Sequence, residues 1–133
     1  MRVVGGLYMV VMEYMSSAKA LHRFFVLPPL SPLPDPGVVR RDLTKALDLL
    51  HERKFVFGDL RPLNVLYSPE ENRAFLVDFD GVGKHKDRYS ACLNTELGLG
   101  VNRWQMMEKS HDRANLERVM EWLSEVASLV AQL

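Results

Sequence analysis

The sequence predicts an α+β fold, mainly helical, with one short β-hairpin. Three observations predict it. Apolar residues recur at helical spacing through Val39, Leu43, Ala46, Leu47 and Leu50. They recur again through Leu116, Val119, Met120, Leu123, Val126, Val130 and Leu133. Between these stretches, two runs with strand character, 64–67 and 74–79, flank Ser68-Pro69-Glu70-Glu71-Asn72, which has turn composition. At 133 residues the chain suffices for one modest domain and not for two.

In chain order, residues 1–15 read as a strand, because Leu7-Tyr8-Met9-Val10-Val11-Met12 favours a pleat. Arg2 and Ala18-Lys19-Ala20 resemble parts of a secretory signal. The apolar run is short, though, and Glu13 ends it, so a buried strand is the better reading. Residues 16–25 suit one or two helical turns. Five prolines within 27–36 remove backbone donors and fix φ, which makes an extended connector. The first long helix then spans 36–52: Asp35 can cap it, Pro36 suits its first turn, and His51, Arg53 and Lys54 favour its negative end. Residues 81–100, polar and glycine-containing, read as a long loop. In the last helix Asp112 stands near the start as a cap or dipole partner. Trp122, Ala127 and Leu129 widen its apolar face, so it calls for burial on several sides.

Composition excludes several function classes. Apolar residues are 47% and charged residues 26%, ordinary for a soluble globular protein. Seventeen basic residues balance seventeen acidic ones, so no global charge points to nucleic acid or to an anionic membrane. Cys92 is the only cysteine, which excludes an internal disulfide and a cysteine zinc site and suits a reducing, cytoplasmic setting. His22, His51, His85 and His111 lack metal-ligand spacing and read as surface or cap residues.

The chemistry is concentrated in Phe57-Gly58-Asp59-Leu60-Arg61-Pro62-Leu63-Asn64 and in Leu76-Val77-Asp78-Phe79-Asp80-Gly81. Asp59 follows a helix and an apolar pair. Asn64 lies where the first strand begins and Asp78 at the end of the second. Paired strands bring their outer ends together, so Asn64 and Asp78 should converge with Asp59 nearby. Carboxylates with an amide oxygen suit a hard divalent cation such as magnesium, and Arg61 adds a cation for phosphate oxygens.

At these residues the chain resembles the protein-kinase superfamily, whose pattern is H-R-D-L-K-P-x-N followed by D-F-G. Here the words are F-G-D-L-R-P-L-N and D-F-D, similar to small, divergent kinase-like proteins of fungal type. Val11-Met12-Glu13-Tyr14-Met15 looks like the strand and hinge that hold adenine, the helix at 36–52 like the one before the catalytic loop, and His111-Asp112 like the opening of the central buried helix. The resemblance implies a kinase-like C-terminal lobe over 16–133, with residues 1–15 as the last small-lobe strand and hinge. It implies ATP and magnesium as cofactors, and transfer to a hydroxyl acceptor: a serine or threonine of a protein or, since small-molecule phosphotransferases share this site logic, a small molecule. Asp59 would orient or deprotonate the acceptor, Arg61 would stabilise the transferring group, Asn64 and Asp78 would bind magnesium, and Glu13 and Met15 would contact adenine through backbone atoms.

The chain also departs from the pattern. Phe57 replaces the family histidine, Asp80 replaces the D-F-G glycine, and no A-P-E word follows. On this alignment the family's G-x-G-x-x-G loop, strand lysine and pairing glutamate have no counterpart. The alternative expectation is therefore a truncated, pseudokinase-like module that binds a partner chain without catalysis.

Overall fold

Asp35 sets the start of the first helix. Its side chain accepts a hydrogen bond from Gly37 N at 2.9 Å, and Pro36 fills the first turn, where its missing N–H goes unneeded. Helix α1 spans Pro36–Glu52, as its spacing predicts. The computed structural model describes residues 15–88 and 105–133. Val39, Leu43 and Leu47 form the fully buried stripe of α1, and His51 continues it at the same four-residue step.

The stripe packs against the hairpin and the second long helix. Strand β3 (Val65–Ser68) pairs antiparallel with strand β4 (Arg73–Leu76), with Val65 opposite Leu76 and Ser68 opposite Arg73. Glu71 N donates to Ser68 Oγ at 3.2 Å and Tyr67 Oη to Asn72 Oδ1 at 2.5 Å, which closes the turn the sequence predicts. Both strands are shorter than expected at the ends near the candidate site. Residues Pro62–Asn64 form a 3-10 turn, with proline suited to its start. At the other end Asp78 takes a left-handed conformation (φ 65°, ψ 76°), which no pleated strand can continue, and Phe79–Gly81 form another 3-10 turn.

Three further short strands carry no signal in the sequence. Strand β1 (Lys19–Ala20) pairs with β3, giving the order β1-β3-β4. The helical turns expected over 16–25 therefore shrink to a 3-10 segment, Leu21–Phe25, which buries Leu21 and Phe24. Strand β2 (Phe55–Val56) pairs antiparallel with strand β5 (Gly83–Lys84), so the expected loop at 81–100 begins inside a ladder. Two-residue strands are too short to show a period, and their partners lie far away in sequence. Residues 89–100 of that loop, and the strand expected over 1–14, lie outside the described residues.

Helix α2 (Lys109–Ala131) crosses α1 and buries Leu116, Val119, Met120 and Leu123. Its apolar face is covered as far as Leu123; Leu129 is 62% exposed. The expectation of burial on several sides thus fails beyond Leu123 among the described residues. Arg40 grips Glu117 through two bonds of 2.5 and 3.0 Å, and Arg113 pairs with Asp48, so two exposed ion pairs fix the helices' register more than their stability. Among the described residues no helix is long and apolar enough to cross a membrane.

Candidate functional site

The site is built on Asp112. The sequence suggests a cap or dipole partner at the helix start: Glu108 occupies the cap position, and Asp112 lies in the first turn, fully buried. Its Oδ2 accepts from Phe57 N at 2.8 Å and its Oδ1 from Gly58 N at 3.0 Å; Oδ2 also lies 2.8 Å from His51 Nε2. A buried carboxylate needs such donors to offset its lost hydration. The result is a fixed two-residue segment immediately before Asp59. The surface or cap role expected of His51 is therefore corrected: it is buried and bonded. The signal was present, because position 51 continues the stripe 39, 43, 47.

A second segment passes in close contact with the first. Gly58 has φ +84°, and a Cβ there would stand 2.5 Å from Gly81 O and 2.9 Å from Met107 Cε. Only glycine fits both the dihedral and the space. A Cβ on Gly81 would in turn press on Asp59 Cβ at 3.2 Å. The rings of Phe57 and Phe79 meet edge to face, with centroids 5.4 Å apart. Phe57 is fully buried, whereas Phe79 is 51% exposed.

Between these segments the predicted side chains gather. Asn64 Nδ2 donates to Asp59 O at 2.8 Å and to Asp59 Oδ2 at 2.9 Å, which turns its Oδ1 away from that carboxylate. Arg61 Nε lies 3.1 Å from Asp59 Oδ1, an ion pair. The N–H is not aligned for a hydrogen bond, so both atoms are buried without a hydrogen-bonding partner among the described residues. Asn64 O accepts from Val77 N at 2.9 Å, so Asp78 follows directly after the residue facing Asn64. Asp78 is exposed, and its left-handed backbone is costly for a residue with a side chain, a form of strain found at functional positions.

Burial pushes the Asp59 carboxyl above the usual aspartate range. The Arg61 cation and the Asn64 bond oppose the shift, and the nearby negative charge of Asp78 adds to it. Asp42, on α1, shows the opposite outcome. Burial alone would raise it, but the Ala74 N–H at 3.0 Å and the Arg41 guanidinium hold it below its usual value.

Of the six candidate residues, Asp59, Arg61 and Asn64 meet directly and Asp78 acts on Asp59 through its charge. Met15 lies ahead of the turn at Ser16–Ser17, where its carbonyl accepts from Ala18 N at 3.2 Å. Glu13 lies outside the described residues. No group of three or more His, Cys, Asp or Glu side chains forms a metal cluster among the described residues. The candidate set is of another kind: two carboxylates, one amide oxygen and one guanidinium. Such a set can hold a hard cation that keeps most of its ligands as water and phosphate oxygens. No family model matches the chain, and no curated protein matches it.

Proposed function

We propose that this chain is a protein-kinase-like domain that transfers a phosphoryl group from ATP, with magnesium, to a hydroxyl acceptor, a serine or threonine of a protein. The α+β body would serve as the C-terminal lobe of that fold. One observation carries the reading: Asn64 bonds both the main chain and the carboxylate of Asp59, while its own carbonyl pairs with Val77, next to Asp78. Phosphoryl transfer relies on positioning and charge neutralisation, and this arrangement supports both.

In that reaction Asp59 orients the acceptor hydroxyl and takes its proton, a task its raised pKa suits. Arg61, beside it, would supply a cation to the oxygens of the transferring group. Asn64 Oδ1 and the Asp78 carboxylate would hold the cation, which when bound neutralises charge on the phosphate oxygens. Asp112 acts at one remove, by fixing Phe57 and Gly58 so that Asp59 presents its carboxylate to the cleft. Met15 and Glu13 would meet adenine through backbone atoms.

The test is thermal unfolding with magnesium and ATP, singly and together, for wild type and Asp78→Ala. A ligand at one hundred times its Kd stabilises by about 2.7 kcal/mol. The proposal predicts a shift that needs both ligands and that Asp78→Ala abolishes, accompanied by phosphate incorporation into a protein acceptor that Asp59→Asn abolishes. The second reading, a partner-binding module without catalysis, is favoured by the exposure of Phe79 beside the site. No shift at millimolar nucleotide would select it.

A further inference from the structure

Phe79 is also one wall of an open groove of about 500 Å³ between α1 and β4. The floor is apolar: Ala46, Leu49, Phe75 and Phe79. Leu49 is 66% exposed and lies beside the half-exposed Phe79, so the two form one apolar patch. The rim is basic. Arg41 and Lys45 stand on α1, and Arg73 lies over the Phe75 ring at 4.9 Å. The only carboxylate in the lining, Asp42, is already engaged by Ala74 N and Arg41. Beyond Leu49 a smaller hollow of about 390 Å³ continues past Phe55 and Val82 and adds Arg53. Leu49 lines both hollows, and among the described residues their linings carry four cations, Arg41, Lys45, Arg53 and Arg73, against one carboxylate, Asp42, which Arg41 pairs with.

We propose that this groove docks an acidic, amphipathic segment of a partner protein. Its apolar side chains seat between α1 and β4, and its carboxylates meet Arg41, Lys45 and Arg73. Charge complementarity identifies the occupant: the chain as a whole is neutral, so this local positive excess is a feature of the groove and not of the surface in general. Recognition is through side chains. The Ala74 N–H on the outer edge of β4 is capped by Asp42, so an incoming strand finds that position closed. The recessed floor fits single side chains better than a flat lipid surface. The inference goes beyond the phosphoryl-transfer reading and stands whether or not Asp59 works as a catalyst.

The test uses the full chain and a fluorescein-labelled synthetic peptide in which Leu and Phe alternate with Asp and Glu. Its counterpart carries Lys at every acidic position. Anisotropy is expected to show saturable binding of the acidic peptide only. Lys45→Glu and Leu49→Asp, both on exposed positions of α1, each weaken it by about tenfold or more, whereas Lys19→Glu, outside the groove, leaves it unchanged. Far-UV melts establish that the variants are folded, and the acidic-against-basic comparison on the wild-type chain decides without any variant. Equal binding of the two peptides, no saturable binding, or binding untouched by Lys45→Glu and Leu49→Asp overturns the proposal. So does preferential capture by phosphatidylserine-containing vesicles, or self-association in sedimentation that Leu49→Asp abolishes.

Discussion

Two sides of the candidate site are built on different principles. On one side Phe57 and Gly58 are buried, and their N–H groups end on a carboxylate that His51 also meets. On the other, Asp78, Phe79 and Asp80 are exposed, and Asp78 sits in a left-handed conformation that costs energy. The first side is held by satisfied polar groups and core packing. The second is held at its ends, by Val77 N on Asn64 O and by the β2–β5 ladder, and between them by the edge of one ring on another and the close pass of Gly81 over Asp59. The difference separates positioning from exchange. The half that presents Asp59 is anchored in the interior, while the half that carries Asp78 is exposed to solvent.

Substitutions can break this comparison where it is strongest. Asp112→Ala strands Phe57 N, Gly58 N and His51 Nε2 in the interior. Each buried unsatisfied group costs about 1–3 kcal/mol, so chemical denaturation should show a loss of about 3 kcal/mol or more. Gly58→Ala should cost about 2 kcal/mol or more in the same measurement, because its Cβ meets Gly81 O while the dihedral resists it. Wild-type stability in either variant would mean that the anchored half is not anchored.

The opposite half should respond with the opposite sign. Asp78→Gly relieves the left-handed strain and should leave stability unchanged or raise it by about 1 kcal/mol, while removing the magnesium-dependent thermal shift. A residue held at a cost to stability points to a role other than folding. Loss of stability on that substitution would instead make Asp78 a structural turn residue.

The smallest effect is one of pH. Asp59 has a raised pKa in the folded chain, so the folded state holds its proton more tightly than the unfolded state does. Its contribution favours folding below the ordinary aspartate pKa and is lost as pH rises through the raised value. Stability of Asp59→Asn relative to wild type should therefore be greater at neutral pH than in acid, by a modest amount, since Arg61 and Asn64 offset much of the burial. Denaturation midpoints across that window decide it, and a pH-independent difference would contradict the assignment.

The pattern of what could be read from the chain follows the same division. Helix α1 was readable to the residue, because its cap, first-turn proline and four-residue stripe are all local. The hairpin was readable because a turn of fixed composition separates two strand-forming runs. Asp59 and Asn64 are five residues apart, so their meeting is nearly local too. Asp112 and Phe57 are joined across the whole site, and β2 and β5 pair over a long separation; no periodicity reports such contacts. The sequence predicts a strand end at Asp78, because nothing in it discloses a positive φ on a residue other than glycine. The phosphoryl-transfer reading rests on motif words and on this geometry together.

The most direct measurement of the central claim is paramagnetic broadening of the 15N-labelled chain by manganese, added with a non-hydrolysable ATP analogue in place of magnesium. The account predicts saturable loss of the amide signals of Asp59, Asn64 and Asp78, relieved by excess magnesium and absent in Asp78→Ala. Broadening centred elsewhere, or none that saturates, would contradict it.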